Sequence, residues 1–225
     1  MEESTDRRLI ILAVFALVAA GVVAAILIGR SGGGDDSTTA AGADGCKQVE
    51  APKAMKVGLE APAQTVEPSE KLTAVVTTSC GTFDIALDAK RAPKTVNSFV
   101  FLSERGFYDG LAFHRVAPGF VIQGGDPLGN GAGGPGYSVD EKPPANLAYT
   151  KGVVAMAKSE AEPPGRSGSQ FFVVLNADAG LPPAYALVGK ISEGFATVAR
   201  IGKLGTPAEK PKQTVLIEKI SIEKD

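Results

Sequence analysis

At 225 residues, 44% of them hydrophobic and 21% charged, the chain has the composition of a globular protein with room for one sizeable core. A net charge of −2 excludes the basic excess by which a nucleic-acid-binding domain is recognised. One histidine and two cysteines are too few for the three or four ligands of a zinc site, so no metal is expected.

The first predicted element is the apolar run Leu9–Ile28, LIILAVFALVAAGVVAAILI. A helix rising ~1.5 Å per residue needs about 20 such residues to cross ~30 Å of hydrocarbon, so the run predicts a transmembrane anchor over residues 9–29. Arg7 and Arg8 precede it, and only Arg30 follows ahead of Asp35 and Asp36. The excess of positive charge keeps residues 1–8 in the cytoplasm as a short tail and sends the rest of the chain across the cell membrane. A cleaved signal peptide would have a shorter apolar region and a small-residue cleavage site close behind it, whereas the nearest such steps lie around Ala41 and Ala43. A core helix would show a polar face, which this run lacks.

Residues 30–70 read as a flexible stalk. Their first half, RSGGGDDSTTAAGADG, has no apolar period, and Pro52, Pro62 and Pro68 disfavour a helix in the second.

From residue 71 to 225 the pattern is that of a compact domain. LTAVVTT and GTFDIAL, separated by SCG, predict a hairpin, with Phe83, Ile85 and Leu87 alternating as in a half-buried strand. Short β-prone runs recur at Ala112–Val116, Phe120–Gln123, Gly152–Ala157, Gln170–Leu175, Tyr185–Ile191 and Thr214–Ile222. Many short strands punctuated by Gly and Pro argue for an antiparallel barrel or sandwich. Two segments have a helical period. In one, Val96, Phe99, Val100 and Leu102 share a face after Pro93 and before Gly106; in the other, Phe195, Val198 and Ile201 follow Ser192 as a candidate cap.

Several chemistries can be set aside. GNGAGG, Gly129–Gly134, satisfies G-x-G-x-x-G, but Pro135 and an extended YSV follow instead of a helix that would receive phosphates, so it reads as a glycine loop. No serine sits in a G-x-S-x-G elbow that would recruit His114 for hydrolysis. Arg115 is harder to dismiss. If FHRV is a strand, Phe113 and Arg115 share one face and His114 and Val116 the other. The bland reading is a solvated arginine with its stem across Phe113; the functional one is a guanidinium that, with the amides of Gln123 and Gln170, rims an apolar floor of Phe120, Phe171 and Phe172.

In order and spacing, FHRVAPGFVIQGGD (Phe113–Asp126), the glycine loop, GVVAMA, GSQFFVVL, and YALVGKI with a closing helix and strand resemble the cyclophilin-type peptidyl-prolyl cis-trans isomerases. The resemblance covers about residues 72–222 and, with the anchor, is to a membrane-anchored bacterial form. It implies a mainly β fold, a closed eight-stranded antiparallel barrel capped by two helices, here preceded by one transmembrane helix and the stalk. It implies catalytic roles for Arg115, Gln123 and Phe120, with Phe172 as the second pocket phenylalanine. Substrate-binding positions fall on Val121, where methionine is usual, and on Leu181 and Tyr185, the latter where the family has histidine. Ala157 and Lys158 match the edge that pairs with the substrate peptide, Lys158 standing where asparagine is usual. Gly180 replaces a tryptophan of many eukaryotic members, which implies weaker binding of the drug cyclosporin.

The function so implied is rotation about X-Pro bonds in unfolded or partly folded extracytoplasmic polypeptides, by a monomer with no cofactor. The alternative is a tethered chaperone that uses the same groove without accelerating rotation. Arg115, Phe120, Gln123 and Phe172 argue against it, and His114, facing away from Arg115, is read as structural. Cys46 and Cys80, both beyond the anchor, are either two unrelated thiols or a disulfide that folds the stalk back onto the domain.

Overall fold

A computed structural model describes residues 45–224 of the chain. The anchor at Leu9–Ile28 and the tail before it lie outside the described residues, among which no helix is long and apolar enough to cross a membrane.

The elements begin with β1 (Leu72–Thr78), β2 (Gly81–Leu87) and α1 (Pro93–Glu104), followed by β3 (Arg115–Ala117), β4 (Val121–Gly124), β5 (Val139–Asp140) and β6 (Val153–Met156). Then come β7 (Arg166–Ser167), β8 (Phe171–Val174), β9 (Leu187–Glu193), α2 (Phe195–Lys203) and β10 (Ile217–Lys224). Eight strands form one antiparallel sheet in the order β10-β1-β2-β9-β6-β8-β4-β3, and β5 pairs with β7 apart from it. The predicted hairpin is β1–β2, paired from Leu72 with Leu87 to Thr78 with Gly81. Thr78 closes its turn by donating to the carbonyl of Gly81 at 2.6 Å and accepting from the Cys80 amide at 3.1 Å.

The barrel expected from the resemblance does not close. β10 and β3 are the edges of a curled sheet, and the seam is crossed only before β3 begins, where Phe113 N donates to Val215 O at 2.9 Å and Ile217 N to Leu111 O at 2.8 Å. The physical reason lies in the loop after α2. Val116 N donates to the carbonyl of Glu209 at 2.9 Å, so that loop takes the edge of β3 that β10 would have to occupy.

Both helices bury their apolar stripes on the concave side. α1 starts at Pro93 as expected and is followed by Gly106 at φ +65, while Val96, Phe99, Val100 and Leu102 face the core. Its first-turn amides are capped from elsewhere: Glu141 accepts from Lys94 N at 3.1 Å and Thr95 N at 2.8 Å. α2 departs from expectation at its start. Ser192 belongs to β9, the N-cap is Gly194 at φ +72, and the left-handed turn there directs the chain off the strand.

The stalk expected over residues 30–70 is not a free tether where the structure describes it. Cys46 and Cys80 form a disulfide, and Lys47 N donates to Ser79 O at 2.7 Å. At the other end the side-chain oxygen of Asn97 in α1 accepts from Thr65 N and Val66 N, at 2.8 and 3.0 Å, and its amide donates to Ala63 O. Between these points Val57 and Leu59 pack against the core. The low-apolar composition hid this because a strap needs only a few buried side chains when backbone groups of the domain satisfy it.

The bridge spans a separation of 34 residues, and in the chain-entropy account such a loop contributes roughly 3–4 kcal/mol. Reduction of the disulfide, or Cys80→Ser, is expected to lower the thermal midpoint by about 5–10 °C. Calorimetry with and without reductant checks this, and an unchanged midpoint would show that the bridge contributes nothing.

Candidate functional site

The site sits on the convex face of β3, β4, β6 and β8. Along a strand successive side chains point to opposite faces. In β8 this sends Phe171 and Val173 into the core and Phe172 and Val174 outward; in β4 it sends Ile122 inward and Val121 outward. Outward-facing Val121, Ala155, Phe172 and Leu187 form a second buried cluster with Tyr149, bordered by Phe120, Ala157, Leu181 and Tyr185. Phe172 and Tyr185 meet edge to face with centroids 5.5 Å apart. Tyr149 locks the Tyr185 backbone, donating from its hydroxyl to Tyr185 O at 2.6 Å and accepting from Tyr185 N at 2.9 Å. Burial pushes the Tyr149 phenol up to about 12, so it remains a neutral donor.

Beside this apolar floor runs a hydrogen-bonded chain. Arg115 pairs across the ladder with Gln123, and Gln123 with Phe172. Arg115 Nη1 donates to Gln123 Oε1 at 3.1 Å, Gln123 Nε2 to Gln170 Oε1 at 3.0 Å, and Gln170 Nε2 to the carbonyls of Gly131 and Gly133 at 3.0 and 2.9 Å. On its other side Arg115 Nε donates to Glu209 Oε2 at 2.6 Å. A guanidinium has five N–H donors, and these two bonds leave the remainder for a ligand. Its central carbon lies 5.8 Å from the Phe120 ring centroid.

All nine residues predicted to act on substrate are thus gathered on one face: Arg115, Phe120, Val121, Gln123, Ala157, Lys158, Phe172, Leu181 and Tyr185. Lys158 holds its ammonium 5.6 Å from the Tyr185 ring and donates to the carbonyls of Ser159 and Glu162, both at 3.0 Å. The local strand argument fails for Phe113. Because β3 begins only at Arg115, Phe113 turns into the core against Phe171, and the aromatic partner of Arg115 is Phe120. Phe171, expected in the outer floor, likewise faces inward.

Two contributors escaped the sequence reading. Glu209 is an exposed acid in a lysine-rich loop, and nothing in TPAEKPK marks it as the partner of a residue 94 positions away. Its φ of +57, unusual for anything but glycine, is a signal only the backbone carries. Tyr149 stands alone before β6 with no motif around it.

The arrangement suits a small apolar ring flanked by an amide. His114 is buried and no serine hydroxyl bonds to its ring among the described residues, so it is not the base of a hydrolytic triad. The glycine loop cannot cradle a phosphate in this conformation either: the amides of Leu128, Asn130 and Gly131 already donate to the Asp126 carboxylate.

The family described as cyclophilin type peptidyl-prolyl cis-trans isomerase/CLD matches residues 73–222. Among curated relatives, peptidyl-prolyl cis-trans isomerase B of Streptomyces anulatus is 38% identical over 175 residues, covering 69% of this chain and 98% of its own. Peptidyl-prolyl cis-trans isomerase A of Mycobacterium tuberculosis is 37% identical over 177 residues, covering 70% and 96%. A crystal structure of a Cryptosporidium parvum cyclophilin-type isomerase in the presence of the dipeptide Ala-Pro superposes with a TM-score of 0.63 at 31% identity, covering 68% of this chain and 99% of that one.

The burial of His114 gives a pH signature independent of the site. Burial lowers its pKa below the usual 6.5, against the pull of Asp126 and with the push of Lys210 and Arg115. The unfolded chain therefore takes up a proton near pH 6.5 that the folded chain still refuses, and stability present above that pH is lost as pH falls below it. Denaturant titrations from pH 7.5 to 5 are expected to show this decline, and His114→Asn should flatten it; an equally steep decline in the variant would clear His114 of the effect.

Proposed function

The chain belongs to the cyclophilin-type peptidyl-prolyl cis-trans isomerases, and from that premise we propose that Arg115 is the group that recognises the twisted prolyl amide, in polypeptides outside the cytoplasm. Rotation about an X-Pro bond breaks amide resonance behind a barrier of ~18–20 kcal/mol, without making or cutting a covalent bond. The twisted nitrogen regains a lone pair that accepts a hydrogen bond. A guanidinium fixed beside it therefore binds the transition state better than either planar ground state.

The observation that carries this reading is the tethering of Arg115 between Glu209 and Gln123 over the Phe120 ring, next to the pocket of Val121, Phe172, Leu181 and Tyr185. The pocket holds the proline ring and excludes water, which favours the less dipolar twisted amide. Gln123, itself oriented by Gln170, steadies the guanidinium and the carbonyl side of the bond. About 4 kcal/mol of such selectivity corresponds to ~10³ in rate. Ala157 and Lys158 supply the edge along which the peptide backbone lies.

The extracytoplasmic assignment rests on the apolar run Leu9–Ile28 with Arg7 and Arg8 before it, and it is supported by the Cys46–Cys80 disulfide, a bond kept in oxidising compartments. A protease added outside sealed, right-side-out membranes is expected to attack the domain; protection until the membrane is opened would reverse the topology.

Isomerisation of a short X-Pro peptide tests the mechanism. Arg115→Ala is expected to lower kcat/KM by about 10²-fold or more with folding intact, and Arg115→Lys to fail similarly, because an ammonium lacks the planar fork. Near-wild-type turnover by folded Arg115→Ala would defeat the role given to Arg115, whereas no acceleration of rotation by the wild-type chain would leave a peptide-binding chaperone as the better reading. Glu209→Gly separates positioning from stability. It removes the carboxylate and relieves the φ of +57, so stability should hold while kcat/KM falls about three- to tenfold.

A further inference from the structure

A groove of about 770 Å³ continues from the proline pocket, with which it shares Gln123, Ala157, Lys158 and Gln170, and it is also lined by Met55, Lys56 and Val57 of the strap. These three residues precede the matched family region, residues 73–222. Their placement is fixed by the backbone. Met55 N donates to Pro127 O at 2.8 Å and Leu59 N to Pro135 O at 2.7 Å, so the strap spans both limbs of the glycine loop. At Gly136 a Cβ would lie 2.8 Å from Gly58 Cα, a closeness that only glycine permits. The same loop receives Gln170 on its carbonyls, so strap, loop and proline pocket form one connected wall.

What the strap presents to the groove is unusual for this surface. Met55, 51% exposed, is the only large hydrophobic side chain left exposed among the described residues, and a flexible thioether adapts to varied partners. The charged residues lining the groove are Lys56, Lys158 and Glu162. Lys158 is engaged by two carbonyls, and the Glu162 carboxylate accepts from Ser159 N at 2.6 Å. Lys56 has no hydrogen bond or ion pair among the described residues, so the groove has a net positive charge whose uncommitted part sits on the strap.

Resting on the isomerase reading above, we infer that strap residues Met55–Val57 form a specificity wall for the polypeptide segment flanking the X-Pro bond, and that Lys56 selects segments carrying an acidic side chain there. The pairing is solvent-exposed, so its effect is on choice among substrates more than on the rate of rotation, and salt weakens it.

The test uses the full chain in detergent and peptides with one X-Pro core, carrying Glu or Lys at each of the three positions on either side. At one or more positions the wild-type ratio of kcat/KM, Glu over Lys, is expected to be about two- to fivefold and to fall toward one in 0.5 M salt. Lys56→Glu should invert the ratio and Lys56→Gln bring it near one. Because both substrates meet the same sample, a partly folded variant still reports a valid ratio. A wild-type ratio near one at every position, or a ratio that Lys56→Glu leaves unchanged, overturns the inference. Absence of turnover for every peptide would instead strike the isomerase reading.

Discussion

Side-chain alternation along β4, β6 and β8 is the constraint on which both the core and the site depend. Val154 and Met156, Phe171 and Val173, and Ile122 fill the inner core, while their immediate neighbours Val153, Ala155, Phe172, Val174 and Val121 build the outer pocket. β6 and β8 are therefore apolar on both faces, which is why they read as continuous hydrophobic runs, while β4 is apolar on both faces only as far as Gln123. A slip of one residue in any of them would exchange pocket for core. The outer pocket is thus held at the precision of the hydrophobic core, since the same backbones carry both.

The polar half of the site is held differently. Arg115 and Glu209 are 33% and 47% exposed, and a pair so wetted contributes only about 0.2–1 kcal/mol. Its value is directional. Glu209 engages Nε, Gln123 engages one terminal nitrogen, and together they leave a planar group little freedom to turn. The run from Glu209 through Gln123 and Gln170 to the glycine loop links four stretches distant in sequence, none of which orients the guanidinium alone.

What could be read beforehand follows from which interactions are local. The hairpin β1–β2 and the apolar faces of both helices are legible because strand and helix periods carry them, and the outer pocket residues because their motifs resemble those of the family. Open rather than closed topology is not, since it depends on Glu209 O occupying the edge of β3. The inward face of Phe113 is hidden for a related reason: the strand starts two residues later than FHRV implies. The strap reads as a loose tether in sequence because its anchoring comes from Asn97, Pro127, Pro135 and Cys80, all beyond its own composition.

Glu141 has a consequence for the order in which the chain acquires its shape. α1 has no side-chain cap at Ala92 and no acidic residue in its first turn, and the carboxylate that satisfies its leading amides comes from 46 and 47 residues further on. A chain emerging from the ribosome has made all of α1 long before Glu141 exists. During that interval the first turn of the helix is uncapped, and closing so long a loop must be accomplished before the cap rewards it. The capping of the first turn of α1 therefore waits for the loop after β5.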